Sequence, residues 1–126
     1  MSRVSIAFLL PVACAALLSL GACSSEPGPM RIAGGDPQLG RELIQRYGCV
    51  ACHAIPGLSS YGANVGPPLH RMGERAYVGG VIANTPDNLV AWLQNPAAID
   101  PRTAMPRLGI SEREARHIAA YLVKPH

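Results

Sequence analysis

The chain has little to build a conventional core from. Aromatic residues are 5% of its 126 residues, with one Phe and one Trp. No internal repeat is visible, no low-complexity run stands out beyond one short linker, and no stretch alternates convincingly as a strand would. Charge of either sign is not in excess: the net value is +3, too mild to recruit a nucleic acid, so no nucleic-acid partner is expected. Apolar residues are nonetheless 48% of the chain, which excludes disorder as its native condition. The length allows one domain at most. Four cysteines are present, Cys14, Cys23, Cys49 and Cys52, an even number that invites a disulfide reading.

The N-terminus accounts for much of the apolar content. Arg3 is the only charge before Glu26, and Val4 to Leu20 form an apolar run that includes Phe8, Leu9, Leu10, Leu17 and Leu18. A short basic start followed by such a run is the pattern of an export signal. It is slightly short for a membrane span of about 20 residues and is interrupted by Pro11. Leu20-Gly21-Ala22-Cys23 then puts two small residues directly before a cysteine. This resembles the bacterial lipobox, in which the signal is cut before the Cys and the Cys carries lipid; the alternative is an ordinary signal peptide or an uncleaved anchor. The expected organisation is therefore a signal peptide over 1–22, lipidated Cys23 with a linker over 23–35, and a folded domain over 36–126. Cys14 leaves with the signal. The remaining 104 residues carry ten basic and eight acidic side chains. Ser24 to Gly35 is rich in Pro, Gly and Ser and reads as a linker. Its twelve residues span about 19 Å as a coil and at most about 40 Å extended, which keeps the domain near the membrane.

Three helices are predicted in the folded part. Asp36 caps a helix over Pro37 to Tyr47, with Leu39, Leu43, Ile44 and Tyr47 on one face and Gly48 as the stop. Thr85 caps a second, Pro86 to Gln94, with Leu89, Val90, Trp92 and Leu93 as its apolar side and Pro96 as its end. Ser111 and Glu114 have capping-box spacing at the start of a third, Glu112 to Val123, whose stripe is Ala115, Ile118, Ala119 and Leu122. A long Gly- and Pro-rich segment separates the first two helices. Loops of that length are unusual in a compact domain, so something besides secondary structure is expected to organise them.

Cys49-Val50-Ala51-Cys52-His53 supplies a candidate. C-x-x-C-H is the attachment motif for a c-type haem. Two thiols at this spacing add across the two porphyrin vinyl groups, and the adjacent His lies under the iron. A thioredoxin-like redox pair would need a βαβ context, which is missing. A disulfide across two residues leaves His53 unexplained, and a zinc site needs a second pair of ligands.

From Asp36 to Tyr121 the chain resembles class I monohaem c-type cytochromes. The order of helix, Cys49–His53, Gly-Pro segment, middle helix, Met-Pro loop and last helix is similar, with Gly40 where terminal helices cross and Tyr121 at the aromatic position of the last helix. Asn84-Thr85-Pro86-Asp87-Asn88-Leu89, Trp92, Pro96, Ile99-Asp100-Pro101 and Met105-Pro106 are similar to the cytochrome c domain fused to subunit II of some haem-copper oxidases. The resemblance implies an all-α cytochrome c fold: crossing terminal helices, a middle helix, and long loops around one covalent haem c. It implies iron ligation by His53 and by Met105, which lies 52 residues after His53 and before Pro106. Met72 and His70 sit close to Gly66-Pro67-Pro68 and are set aside as poorly placed for that role. Met30 falls in the linker, His117 beside Ile118 on the last helix, and His126 at the end of the chain. The Pro67 carbonyl is implied as the acceptor for the His53 ring, with Pro68 the neighbouring choice. Arg75 falls where the family often places a propionate ligand, or is a solvated arginine. Trp92 and Tyr77 either meet the haem or simply pack.

The implied function is electron transfer without enzymatic activity of its own, since His/Met ligation fills both axial positions and raises the potential. Expected partners are a quinol-oxidising complex or dehydrogenase as donor, a terminal oxidase as acceptor, and the membrane through lipid on Cys23. The chain is expected to be a monomer on the periplasmic side of a bacterial membrane, inner or outer. Arg71, Arg75, Arg102 and Arg107 flank the haem segments and are a candidate basic docking patch, or scattered solvated side chains. The alternatives are a permanently bound subunit of a periplasmic dehydrogenase, a gas-binding or catalytic haem protein if Met105 is not a ligand, and a haem-free thiol–disulfide protein.

Overall fold

The computed structural model describes residues 28–60 and 65–126. The expected signal peptide and the lipidation at Cys23 lie outside the described residues. The elements in chain order are helix α1 (Pro37–Arg46), a 3-10 turn at Cys49–Ala51, a second at Met72–Glu74, strands β1 (Tyr77–Val78) and β2 (Ile82–Ala83), helix α2 (Pro86–Gln94), short helix α3 (Pro96–Ile99) and helix α4 (Glu112–Val123).

The helices begin where their caps demand. The Asp36 carboxylate accepts from the amides of Gln38 and Leu39 at 2.7 and 3.3 Å. Thr85 Oγ1 accepts from the Asn88 amide at 3.2 Å. At α4 the capping box is complete: Ser111 Oγ accepts from the Glu114 amide, and the Glu114 side chain accepts from the Ser111 amide. Leu39, expected on the apolar face of α1, is exposed instead. Gly40, Leu43 and Ile44 form the buried side.

α1 and α4 cross at Gly40. A Cβ on Gly40 would lie 2.0 Å from the His117 carbonyl oxygen, so only a hydrogen there permits the crossing. Ile44, Leu89 and Ile118, one from each long helix, are the largest fully buried side chains. Each contributes about 2 kcal/mol of apolar transfer free energy. The packing extends ahead of α1: Ile32 is buried and Met30 packs against the core. The Asp36 amide donates to His117 Nδ1 at 2.9 Å, which ties the entry of α1 to α4.

The expectation of an all-α cytochrome c fold is corrected. β1 and β2 form a two-stranded antiparallel sheet in register Tyr77↔Ala83 and Val78↔Ile82. Its turn uses Gly79 and Gly80 at φ +57° and +75°, backbone conformations that cost glycine little. Two residues per strand are too few to produce a readable alternation, which is why the hairpin was not expected from the pattern. α3 was also not foreseen: Pro96, expected only to end α2, opens one further helical turn. Among the described residues no helix is long and apolar enough to cross a membrane.

Candidate functional site

α1, α2, α4, the hairpin and the loop after α1 together enclose a cavity of about 480 Å³. Its walls carry Cys49, His53, Pro67, Arg75, Trp92 and Met105 among aliphatic side chains. Six of the seven residues expected to bind a cofactor thus line one space. The seventh, Cys52, is half-buried next to it and is not part of the lining.

The attachment segment is shaped by backbone bonds. Gly48, in the left-handed region at φ 70°, ends α1 and turns the chain into the 3-10 turn. The amides of Cys52 and His53 both donate to the Cys49 carbonyl, at 3.2 and 3.0 Å. Cys49 and Cys52 are free thiols. Burial pushes the Cys49 thiol pKa up, with a smaller push from Cys52, so it is a neutral thiol near pH 7.

The imidazole of His53 is oriented by the loop that follows. Its Nδ1 lies 2.7 Å from the Pro67 carbonyl oxygen. A carbonyl can only accept, so Nδ1 carries the proton and Nε2 keeps its lone pair free for a metal ion. The Gly66 amide donates to the Cys52 carbonyl at 2.8 Å, which brings that loop back over the motif. A Cβ on Gly66 would fall 2.3 Å from His53 Cε1, so this glycine permits the ring to lie flat on the chain.

Arg75 braces the same loop. Its Nη2 donates to the carbonyls of Pro68 and His70 at 2.6 and 2.9 Å, while the side chain lines the cavity. Trp92 is buried and donates from Nε1 to the Met105 sulfur at 3.2 Å. Tyr77 lines the cavity yet remains exposed. Met72, set aside on sequence grounds, is buried and lines the same cavity, so it shares the wall with Met105. His117, by contrast, is engaged with the Asp36 amide, and His126 Nε2 lies 3.2 Å from the Tyr121 carbonyl.

The four arginines do not form one free basic patch. Arg71 is paired with Glu74, and Arg102 with Asp100. The backbone amide of Arg102, then its guanidinium, hold the Asp100 carboxyl below the usual carboxylate range.

Sequence reasoning did not single out Gly66, Gly79 or Asn84 as site residues. The Gly79-Gly80 dipeptide was a readable turn signal. Asn84 Nδ2 donates to the carbonyls of Met72 and Arg75 at 2.6 and 3.0 Å, fastening the segment between them, and nothing in its local pattern announced that.

The residues fit a haem c. The volume is within the range of about 300–1,000 Å³ usual for small-molecule sites. The donor set, two thiols beside a correctly protonated imidazole and a thioether sulfur, is that of c-type haem attachment and His/Met ligation. Among the described residues no group of three His, Cys, Asp or Glu gathers.

No family model matches the chain. Curated relatives are named cytochrome c oxidase subunit 2. That of Alkalihalophilus pseudofirmus is 32% identical over 84 residues, covering 66% of this chain and 24% of the relative. That of Bacillus subtilis is 35% identical over 82 residues, covering 60% and 23%. A third, from Bacillus sp. PS3, is 30% identical over 66 residues, covering 51% and 18%. The chain thus spans less than a quarter of the length of the relatives it matches. The expectation of a protein standing apart from enzymes is corrected by these names, since each relative is a subunit of an oxidase. The chain is similar to a segment of cytochrome c oxidase subunit 2.

Proposed function

We propose that this chain is a membrane-tethered, periplasmic electron-transfer protein that carries one haem c and delivers electrons to a terminal oxidase. The observation that carries the reading is the convergence of Cys49, His53 and Met105 on one apolar cavity, with the His53 ring tied through Nδ1 to Pro67.

Thioether bonds to Cys49 and Cys52, with His53 and Met105 as iron ligands, would hold the group. When bound it supplies a one-electron iron couple, and His/Met ligation sets that couple high. The protein's own contributions are separable. Pro67 fixes the tautomer and angle of the His53 ring. The aliphatic walls, Leu89 and Ile118 among them, exclude water. Arg75 offers its remaining guanidinium donors to an anionic edge, since Nη2 is taken by Pro68 and His70.

The oxidase as acceptor is supported by relatives named as oxidase subunits. Here the similar segment follows an export signal and a lipobox, so tethering through Cys23 is part of the same proposal. Of the stretch expected as a linker, Met30 and Ile32 pack on the domain, so only the residues between Cys23 and Met30 would serve as the tether. Quinol-oxidising complexes or dehydrogenases are the proposed donors.

A pyridine haemochrome spectrum of protein matured with haem-attachment machinery tests the proposal. The expected result is one haem per chain with the spectrum of two saturated thioether links, and a reduced form that does not take up carbon monoxide readily. Absence of covalent haem would leave a thiol–disulfide protein, and ready carbon monoxide binding would make it a protein with an open iron site. Either result overturns the carrier reading.

A further inference from the structure

The strap ahead of α1 is fixed to the domain. Ile32 is buried and Met30 packs against the core. The Gly35 amide donates to the Ile32 carbonyl at 3.1 Å, and Arg116 Nη1 donates to the Ala33 carbonyl at 3.4 Å. A Cβ on Gly35 would lie 2.6 Å from the Arg116 carbonyl oxygen and 2.7 Å from the Ala120 Cβ, so the strap lies directly on α4. The leash to a lipidated Cys23 therefore ends at Pro29, six positions on. Six residues reach at most about 20 Å. A folded domain of this size is about 30 Å across, so half its girth is about 50 Å.

The face where the strap begins carries a second cavity, of about 350 Å³. Pro29 and Met30 line it together with His70, Arg71, Glu74 and Lys124. It shares no lining residue with the cavity that holds Cys49, His53 and Met105. Neighbouring residues part between the two, as Ile55 and Pro56, Leu69 and His70, and Leu122 and Val123 do. One thickness of chain separates the cavities, and they lie on opposite sides of it.

We infer that the face bearing the second cavity seats on the phospholipid headgroup layer, which holds the Cys49–Met105 cavity on the side turned away from the bilayer. The inference rests on the tethering through Cys23 proposed above. With this face outward, the leash would have to run round the domain, more than twice its reach. Charge agrees with the placement. Arg71 and Glu74 pair with each other, and among the described residues Lys124 has no acidic partner. One basic side chain beside an anionic leaflet favours contact about fivefold.

Lys124 is the only lysine of the chain, which makes it a single-site reporter for this face. Tyr77, 61% exposed and lining the other cavity, reports on the opposite side. The lipidated full chain is reconstituted into vesicles of phosphatidylethanolamine and phosphatidylglycerol. A second form carries about 20 Gly and Ser residues inserted after Ser25, enough to let the domain turn freely. A water-soluble amine reagent, read on the Lys124 peptide, should label the native form about fivefold more slowly than the lengthened one. Nitration of Tyr77 should proceed at the same rate in both.

Equal labelling of Lys124 with either leash overturns the inference, as does slowing at Tyr77 in place of Lys124. The mass of the N-terminal peptide separates this from failure of the tethering reading. A chain without lipid on Cys23 removes both, whereas a lipidated chain with equal Lys124 labelling removes the orientation alone.

Discussion

His53 and Pro67 are joined across 14 residues by a single contact, Nδ1 to carbonyl oxygen at 2.7 Å. Pro67 lies outside any helix or strand, so its carbonyl has no ladder partner to satisfy. The contact fixes which imidazole nitrogen carries the proton, and with it which nitrogen is left for coordination.

Gly66, one residue earlier, makes that contact possible. In Gly66→Ala the new methyl would meet Cε1, Nδ1 and Nε2 of His53 at 2.3, 2.6 and 2.9 Å. The backbone at Gly66 is not left-handed, so the cost is overpacking, about 1–3 kcal/mol. Urea unfolding should show a lower midpoint with an unchanged slope. An unchanged midpoint would mean the ring and loop do not pack in this way.

The two cavity methionines should behave differently. Met105→Leu should abolish the ferric charge-transfer band and open the ferrous form to carbon monoxide, whereas Met72→Leu should retain the band. Both side chains line the cavity, and the lower exposure of Met72, 5%, makes its substitution the one that tests packing alone. Loss of the band in Met72→Leu with retention in Met105→Leu would reverse the ligand assignment.

Gly40 sits where α1 meets α4. Gly40→Ala gains helix propensity of about 1 kcal/mol in isolation. In the fold its Cβ would lie 2.0 Å from the His117 carbonyl and 3.0 Å from the Tyr121 Cβ. Neither backbone can yield without separating the helices, so a net loss of about 3 kcal/mol is expected from denaturant melts. A stabilised variant would show that the crossing is wider than it stands here.

The cap of α4 makes stability depend on acid. The Ser111 hydroxyl, then its amide, hold the Glu114 carboxyl below the usual carboxylate range. A depressed folded value means that the folded chain binds fewer protons than the unfolded one in this window. The stabilisation is complete above the ordinary carboxylate value of about 4.3 and is lost as pH falls through the lower folded value. Glu114→Gln should flatten the fall in stability below about pH 5, and Ser111→Ala should cost about 1 kcal/mol at neutral pH. Thermal melts across pH 3–7 check both, and parallel curves for Glu114→Gln and the unsubstituted chain would remove Glu114 as a contributor.

Much of the scaffold was legible because its signals are local. Asp36-Pro37, Thr85-Pro86 and Ser111 with Glu114 each mark a helix start through bonds made within three residues, and all three starts fall where expected. Cys49, Cys52 and His53 stand out as a candidate site for the same reason, since the motif occupies five consecutive positions. The hairpin at Tyr77–Ala83 was not, because two-residue strands hold too little pattern and their pairing depends on two glycines in left-handed conformations. That Met72 joins the cavity wall could not be read from its nearness in sequence to Pro67 and Pro68. Distance along the chain says nothing about which wall a side chain joins once a loop is folded back.

The sequence alone determined the helices and the thiol pair with its histidine, since each follows from short-range sterics and hydrogen bonding, whereas the crossing at Gly40 was implied only by the resemblance and joins residues of the first and last helices. Tertiary structure decided between Pro67 and Pro68 as the partner of His53 Nδ1, and it alone decided that Trp92 addresses the sulfur of Met105 and that Gly79 stands behind the indole. Those relations join residues 13 or more positions apart. They depend on the relative placement of loops, and that placement is settled only when the whole core is packed.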